Sequence, residues 1–112
     1  MEIDTKACLH DILNAINEID SFFVSGTKEF AKYRSDLKTK RAVERNIEII
    51  GEAMNRILKK DKNIEISNSR KLVDVRNRIS HGYDSVSDDI IWGIIVKHLP
   101  ILLAETKKLL SE

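Results

Sequence analysis

The sequence predicts an all-α protein, an up-and-down bundle of four or five helices forming one domain over residues 1–112. Three observations carry this reading. Apolar residues recur with a period near 3.6 along most of the chain. Four Gly and one Pro in 112 residues are too few for the turns of a sandwich or barrel. No internal repeat, low-complexity segment or linker divides the chain, and two halves would each be too small to bury a useful core.

Taken in order, Ile12, Ile16, Ile19 and Phe23 step by four, three and four residues and form the stripe of a first helix. Asp4 or Thr5 is its expected N-cap. Gly26 is expected to end the connection after it, near Ser25. The stretch 27–36, TKEFAKYRSD, reads either as a loop or as a short helix carrying Phe30 and Tyr33 inward. The strongest helical signal follows: Val43, Ile47, Ile50, Met54 and Ile57, with Ser35 or Asp36 as cap and Lys59-Lys60 at the negative end of the dipole. Gly51 interrupts this helix at a cost of about 1 kcal/mol relative to Ala, which close packing of a neighbouring helix would explain. Residues 61–67 form a loop. A fourth helix, capped at Asn68 or Ser69, turns Leu72, Val75 and Ile79 inward. It is expected to stop near Ser80 or His81, because Gly82 accepts the left-handed conformation that ends helices. After a short loop, Ser85 with Asp88 gives an N-capping signature for the last helix. That helix is apolar around much of its circumference, through Ile90, Ile91, Trp92, Ile94, Ile95, Val96 and Leu99, more than one intramolecular face needs and a sign of a second partner. Pro100 removes a backbone donor and is expected to kink it.

Composition narrows the class without giving a function. The 19 basic and 18 acidic residues leave a formal charge of +1, with 42% apolar and 33% charged residues. The single Cys8 excludes an intramolecular disulfide, and no Cys/His cluster suggests structural zinc. No run of about 18 apolar residues suggests a membrane span. The N-terminal MEIDTKACLHD lacks the basic-then-apolar order of a signal peptide, so a reducing cytoplasm is the expected compartment.

The small net charge conceals a segregation. Residues 1–20 are acidic; residues 32–45 carry Lys32, Arg34, Lys38, Lys40, Arg41 and Arg45, and residues 70–78 carry Arg70, Lys71, Arg76 and Arg78. These two segments read either as solvated helix faces or as one phosphate-attracting surface leading to a histidine-bearing turn. Only Phe30 and Tyr33 lie near the first segment, so no base-stacking platform is evident.

The chemistry concentrates in Arg76-Asn77-Arg78-Ile79-Ser80-His81-Gly82-Tyr83. Imidazole, with an unperturbed pKa of about 6.5, accepts or donates a proton near neutrality. A guanidinium is always charged and clamps phosphate oxygens as negative charge builds. In a continuous helix Arg76 and His81 diverge by about 140°. If the helix ends at Ser80, the turn at Gly82 could bring the imidazole back toward the Arg76 face. The combination suits phosphodiester cleavage; the structural alternative pairs Arg76 with an acid and leaves His81 as a helix cap. His98 reads as an interface or surface residue and His10 as a solvated one. No Glu-x-x-His or His-x-x-x-His pattern occurs, nor any Gly-rich phosphate loop, so a mechanism without metal or cofactor is expected.

Arg76-x4-His81-x-Tyr83 resembles the R-x4-H-x-Y signature of the HepT toxins, a branch of the HEPN ribonuclease superfamily. The stretches ILNAINEIDSFF and RAVERNIEIIGEAMNRI, with Gly51-Glu52-Ala53, are similar to that family's first- and third-helix segments, so the resemblance covers nearly the whole chain. One departure is plain: many members carry a Pro-Trp pair before the motif helix, where this chain has Ile66-Ser67-Asn68-Ser69. The resemblance implies a HEPN-like helical homodimer whose two motifs meet in one RNA cleft. It implies a metal-independent endoribonuclease with His81 as general acid/base and Arg76 stabilising the phosphorane-like charge. Asn77, Arg78 and Ser80 would support the site or bind RNA, and Glu52 would either orient the motif or remain a surface carboxylate. It also implies a type VII-like toxin–antitoxin system, in which an MntA-like minimal nucleotidyltransferase silences the toxin by transferring AMP to Tyr83. The rival expectation is a non-catalytic accessory subunit presenting Tyr83 or substrate to such a nucleotidyltransferase; a weaker one is a structural helical dimer without a site.

Overall fold

The computed structural model describes residues 2–23, 28–82 and 86–112, and the regular elements among them are all helical. Helix α1 (Ile3–Ser21) buries Leu9, Ile12, Ile16 and Ile19, the stripe read from the sequence. Its cap differs from expectation. Glu2 occupies the N-cap without a side-chain bond, Asp4 lies in the first turn, and Thr5 is buried. The acids are used elsewhere: the Lys60 ammonium sits 3.2 Å from Glu2 and 2.9 Å from Asp4, tying the start of α1 to the end of α3. Its hydrogen bond and charge hold the Asp4 carboxyl below the usual carboxylate range.

The ambiguous stretch contains a short helix, α2 (Phe30–Ser35), which turns Tyr33 into the core. Tyr33 lies 5.3 Å from Trp92, ring centre to ring centre, and Phe30 and Phe23 lie 5.7 and 5.8 Å from the same indole. Offset and edge contacts of this kind contribute about 0.5–1.5 kcal/mol beyond burial. They also account for Trp92 within the chain, without a second partner. The Tyr33 hydroxyl is buried with no hydrogen-bond partner among the described residues. Burial, then the charges of Asp88 and Glu44, push its pKa up.

Helix α3 (Leu37–Lys60) starts at Asp36, which accepts from the Thr39 backbone at 3.2 Å and from its hydroxyl at 2.7 Å. Val43, Ile47, Ile50, Met54 and Ile57 form the centre of the core, and α3 packs against α1 on one side. On the adjoining face lies α4 (Ser69–His81). Gly51 explains how closely it lies: a Cβ there would overlap the Cβ of Arg76 and stand 2.8 Å from the Leu72 carbonyl oxygen.

Polar contacts dock the start of α4 where the Pro-Trp pair is missing. Ile66 is buried, and the Glu105 carboxylate accepts from the Ser67 backbone at 3.1 Å and from its hydroxyl at 2.8 Å. Asn68 takes the left-handed conformation, φ 59°, which Asn tolerates better than most residues. Its amide and the Lys71 ammonium lie 3.4 and 3.3 Å from the two ring nitrogens of His98. An ammonium only donates, so the ring nitrogen facing Lys71 must accept, and the ring is neutral. Burial, then the charges of Lys71 and Lys97, lower its pKa.

The last rod comprises α5 (Asp88–Gly93), a π-helical turn (Ile94–His98) and α6 (Leu99–Ser111). Ser87 caps it, accepting from the Ile90 amide at 3.3 Å, in place of the Ser85 pairing inferred from spacing; Ser85 lies outside the described residues, as does Gly26. Pro100 disturbs the helix upstream: without an N–H it cannot complete an α-helical bond to Val96, and the preceding turn widens to π geometry. Ile91, Ile94, Ile95, Leu99 and Leu102 face the bundle, while Ile90, Val96 and Ile101 remain 38%, 38% and 50% exposed. The molecule measures 41 × 34 × 18 Å, its short dimension about two helix diameters. No helix among the described residues is long and apolar enough to cross a membrane.

Two outcomes follow from this packing. Gly51→Ala gains about 1 kcal/mol of helix propensity but forces α3 and α4 apart at a backbone contact, an overpacking cost of about 1–3 kcal/mol. Urea unfolding should therefore show a lower midpoint; an unchanged or raised midpoint would contradict the close approach. For His98 the folded pKa is below the unfolded value, so the unfolded chain binds more protons and stability falls as pH drops below the ordinary 6.5. The wild type should lose stability as pH falls below about 6.5, and His98→Gln should flatten that slope; identical slopes would count against this contact.

Candidate active site

Arg76, Asn77, Arg78, Ser80 and His81 all fall in the last two turns of α4. Gly82 follows at φ +64° and donates from its amide to the Arg78 carbonyl at 3.2 Å. A Cβ at position 82 would meet nothing within 4 Å, so the backbone angle, not space, calls for glycine. The helix includes His81, one residue further than a stop at Ser80. The expected swing of the imidazole back toward Arg76 is therefore not made by the backbone: the two positions stay about 140° apart around the axis. Tyr83 lies outside the described residues.

Arg76 is half-buried against Gly51, and its Nη1 donates to the Asn77 side-chain oxygen at 2.9 Å. No carboxylate among the described residues pairs with it. The structural alternative, Arg76 paired with an acid, is thus not found among the described residues. Asn77 spends its acceptor on the guanidinium and keeps its two N–H donors. Arg78 and His81 are exposed.

Ser80 contacts α3. Its hydroxyl donates to Glu48 Oε2 of α3 at 2.8 Å. That bond ties the hydroxyl of an exposed residue to α3. Glu52, one turn on, is exposed and makes no such contact. Glu48 was missed because attention to the apolar stripe of α3 hides a second one beside it: Glu44, Glu48, Gly51 and Asn55, stepping by four, three and four, all on the side toward α4.

The basic segments also resolve. Lys32 lies 3.6 Å from Glu29, Lys40 3.1 Å from Asp88 and Arg41 3.0 Å from Glu44. Arg45, level with the end of α4, is exposed without an ion pair among the described residues. Arg70 and Lys71 sit at the far end of α4 from His81, so the second segment is split between two places. His98 belongs to that far end, and His10 is exposed on α1. Two hollows, of 540 Å³ beside Lys60 and Leu109 and 230 Å³ beside Phe22 and Tyr33, include neither Arg76 nor His81. Among the described residues the cluster combines a cation held by an amide, a cation without an ion pair and an imidazole at a helix end. Such a cluster can hold a phosphodiester and move one proton.

Comparison with known proteins agrees with this chemistry. The family model described as "Ribonuclease HepT-like" matches residues 12–109. The chain is 27% identical over 113 residues to "Putative RNase MJ0127" of Methanocaldococcus jannaschii, covering 97% of this chain and 89% of that protein. It is 32% identical over 112 residues to "Probable ribonuclease HepT" of Thermococcus cleftensis, covering 97% and 98%. No solved structure gives a significant match.

Proposed function

The chain belongs to the HepT-like ribonuclease family, and from that premise we propose that it is a metal-independent endoribonuclease working from the end of α4. The observation that carries the reading is the state of Arg76: half-buried, bonded to a neutral amide, without a carboxylate among the described residues, and on the same two turns as an exposed histidine. In this reaction the ribose 2′-hydroxyl attacks the adjacent phosphorus while a base takes its proton. The phosphorus–5′-oxygen bond breaks, an acid protonates the leaving oxygen, and a 2′,3′-cyclic phosphate remains. Arg76 stabilises the charge on the non-bridging oxygens, Asn77 holds the guanidinium and offers its N–H groups to the same phosphate, and Arg78 draws in the strand.

One proton must be removed and another delivered, yet each motif supplies one imidazole, and the backbone of α4 points Arg76 and His81 apart. Two copies of the chain, each giving its motif to one cleft, satisfy both conditions. The thin molecule with Ile90, Val96 and Ile101 exposed on its last rod fits such a homodimer. In the proposed toxin–antitoxin pair, a minimal nucleotidyltransferase of the MntA kind transfers AMP from ATP to Tyr83, two residues after His81. The added phosphate places negative charge where RNA must bind and repels it.

His81→Ala should fold normally, since the side chain is exposed, and lose RNA cleavage by about 10²–10⁴-fold. Undiminished cleavage in that variant refutes the assignment. Incubation with the nucleotidyltransferase and ATP should add one AMP to the wild type and none to Tyr83→Phe; equal labelling of both would refute the modification site.

A further inference from the structure

Glu48 poses a problem that the ribonuclease reading does not solve. It is a half-buried carboxylate beside the phosphate-binding end of α4, with no cation paired to it among the described residues, and a carboxylate there repels the RNA backbone. Its one side-chain hydrogen bond among the described residues, from Ser80 Oγ at 2.8 Å, spans 32 residues and joins the middle of α3 to the residue before His81. The last turn of a helix is where fraying begins, because its carbonyls lack partners within the helix. Here that turn is followed by a left-handed glycine, the conformation that commonly ends a helix.

We propose that Glu48 is a positioning residue that acts through Ser80, pinning the final turn of α4 to α3 so that His81 is held in its working orientation. The role rests on the ribonuclease reading for its consequence in catalysis, and on the hydrogen bond alone for its consequence in structure. It turns Ser80 from an RNA contact into half of an internal strut, and it explains a negative charge kept where binding alone would exclude one. Charge-assisted bonds of this kind are stronger than neutral ones, and their loss lowers the population of the ordered turn. The penalty then falls on turnover, whereas removal of the negative charge eases RNA binding.

The test is a double-mutant cycle on the full chain with single-stranded RNA, alongside His81→Ala. Glu48→Ala and Ser80→Ala should each lower kcat about tenfold. The double variant should be no worse than either single one, because both break the same bond. KM should be unchanged or lower in Glu48→Ala. Glu48→Gln keeps an acceptor oxygen and should recover most of kcat. Multiplying losses, a loss carried by KM, or a glutamine variant as poor as the alanine one would overturn the proposal. Amide hydrogen exchange at residues 79–82 supplies a readout independent of activity: it should accelerate equally in both single variants and no further in the double. If the wild type cuts no RNA, or His81→Ala still cuts, the ribonuclease reading fails and exchange alone judges the strut. If those controls behave and the cycle shows no coupling, the strut alone fails.

Discussion

The contact between Gly51 and Arg76 sets the geometry on which the candidate site depends. Two helices ordinarily approach to 8–10 Å, a distance set by the side chains between them. At this crossing α3 offers no side chain, and the Cβ of Arg76 occupies the space that any other residue at 51 would fill. Arg76 therefore starts deep in the groove between α3 and α4 and reaches the surface with its stem buried and its guanidinium half-buried. Such placement favours arginine over lysine, because a planar, weakly hydrated guanidinium tolerates partial burial and still presents several donors. The helix-propensity cost of a mid-helix glycine is offset by what it allows next to it.

Charge pairing over the rest of the molecule follows a consistent division. Lys60 is engaged by Glu2 and Asp4, Lys40 by Asp88, Lys28 by Asp20 and Arg41 by Glu44. These pairs hold together the starts and ends of helices that hydrophobic burial alone leaves loose. At the end of α4 the pattern changes: Arg76 meets an amide, and Arg78 and Arg45 have no ion pair among the described residues. A chain with a net charge of only +1 thus keeps three arginines without an ion pair, among the described residues, near one end of α4. That distribution, more than net charge, is what a polyanion would sense over distances of about 8–10 Å at physiological salt.

The stripes in α1, α3 and α4 were legible in the sequence because they are long and strictly periodic. The end of α4 was legible because glycine after a polar turn has one common meaning, and the close packing at Gly51 because a mid-helix glycine demands a reason. Caps were less so. Asp4, Thr5 and Ser85 have the right chemistry, yet a two- or three-residue change in helix start makes Glu2 and Ser87 the true positions, and nothing in the local sequence fixes that register. The missing N–H of Pro100 signals a disturbed helix, but not that the turn before it widens to π geometry in place of a kink. At the site, Arg76 and His81 stood out as residue types, whereas the Glu48–Ser80 bond joins positions 32 residues apart and emerges only once α3 and α4 are set side by side.

The chemistry of the cut ends tests the central claim most directly. Purified protein incubated with a defined RNA in excess chelator should yield fragments ending in a 2′,3′-cyclic phosphate on one side and a 5′-hydroxyl on the other, as attack by the ribose hydroxyl under imidazole catalysis requires. Fragments bearing 3′-hydroxyl and 5′-phosphate ends, or cleavage that stops when divalent metal is removed, would contradict it.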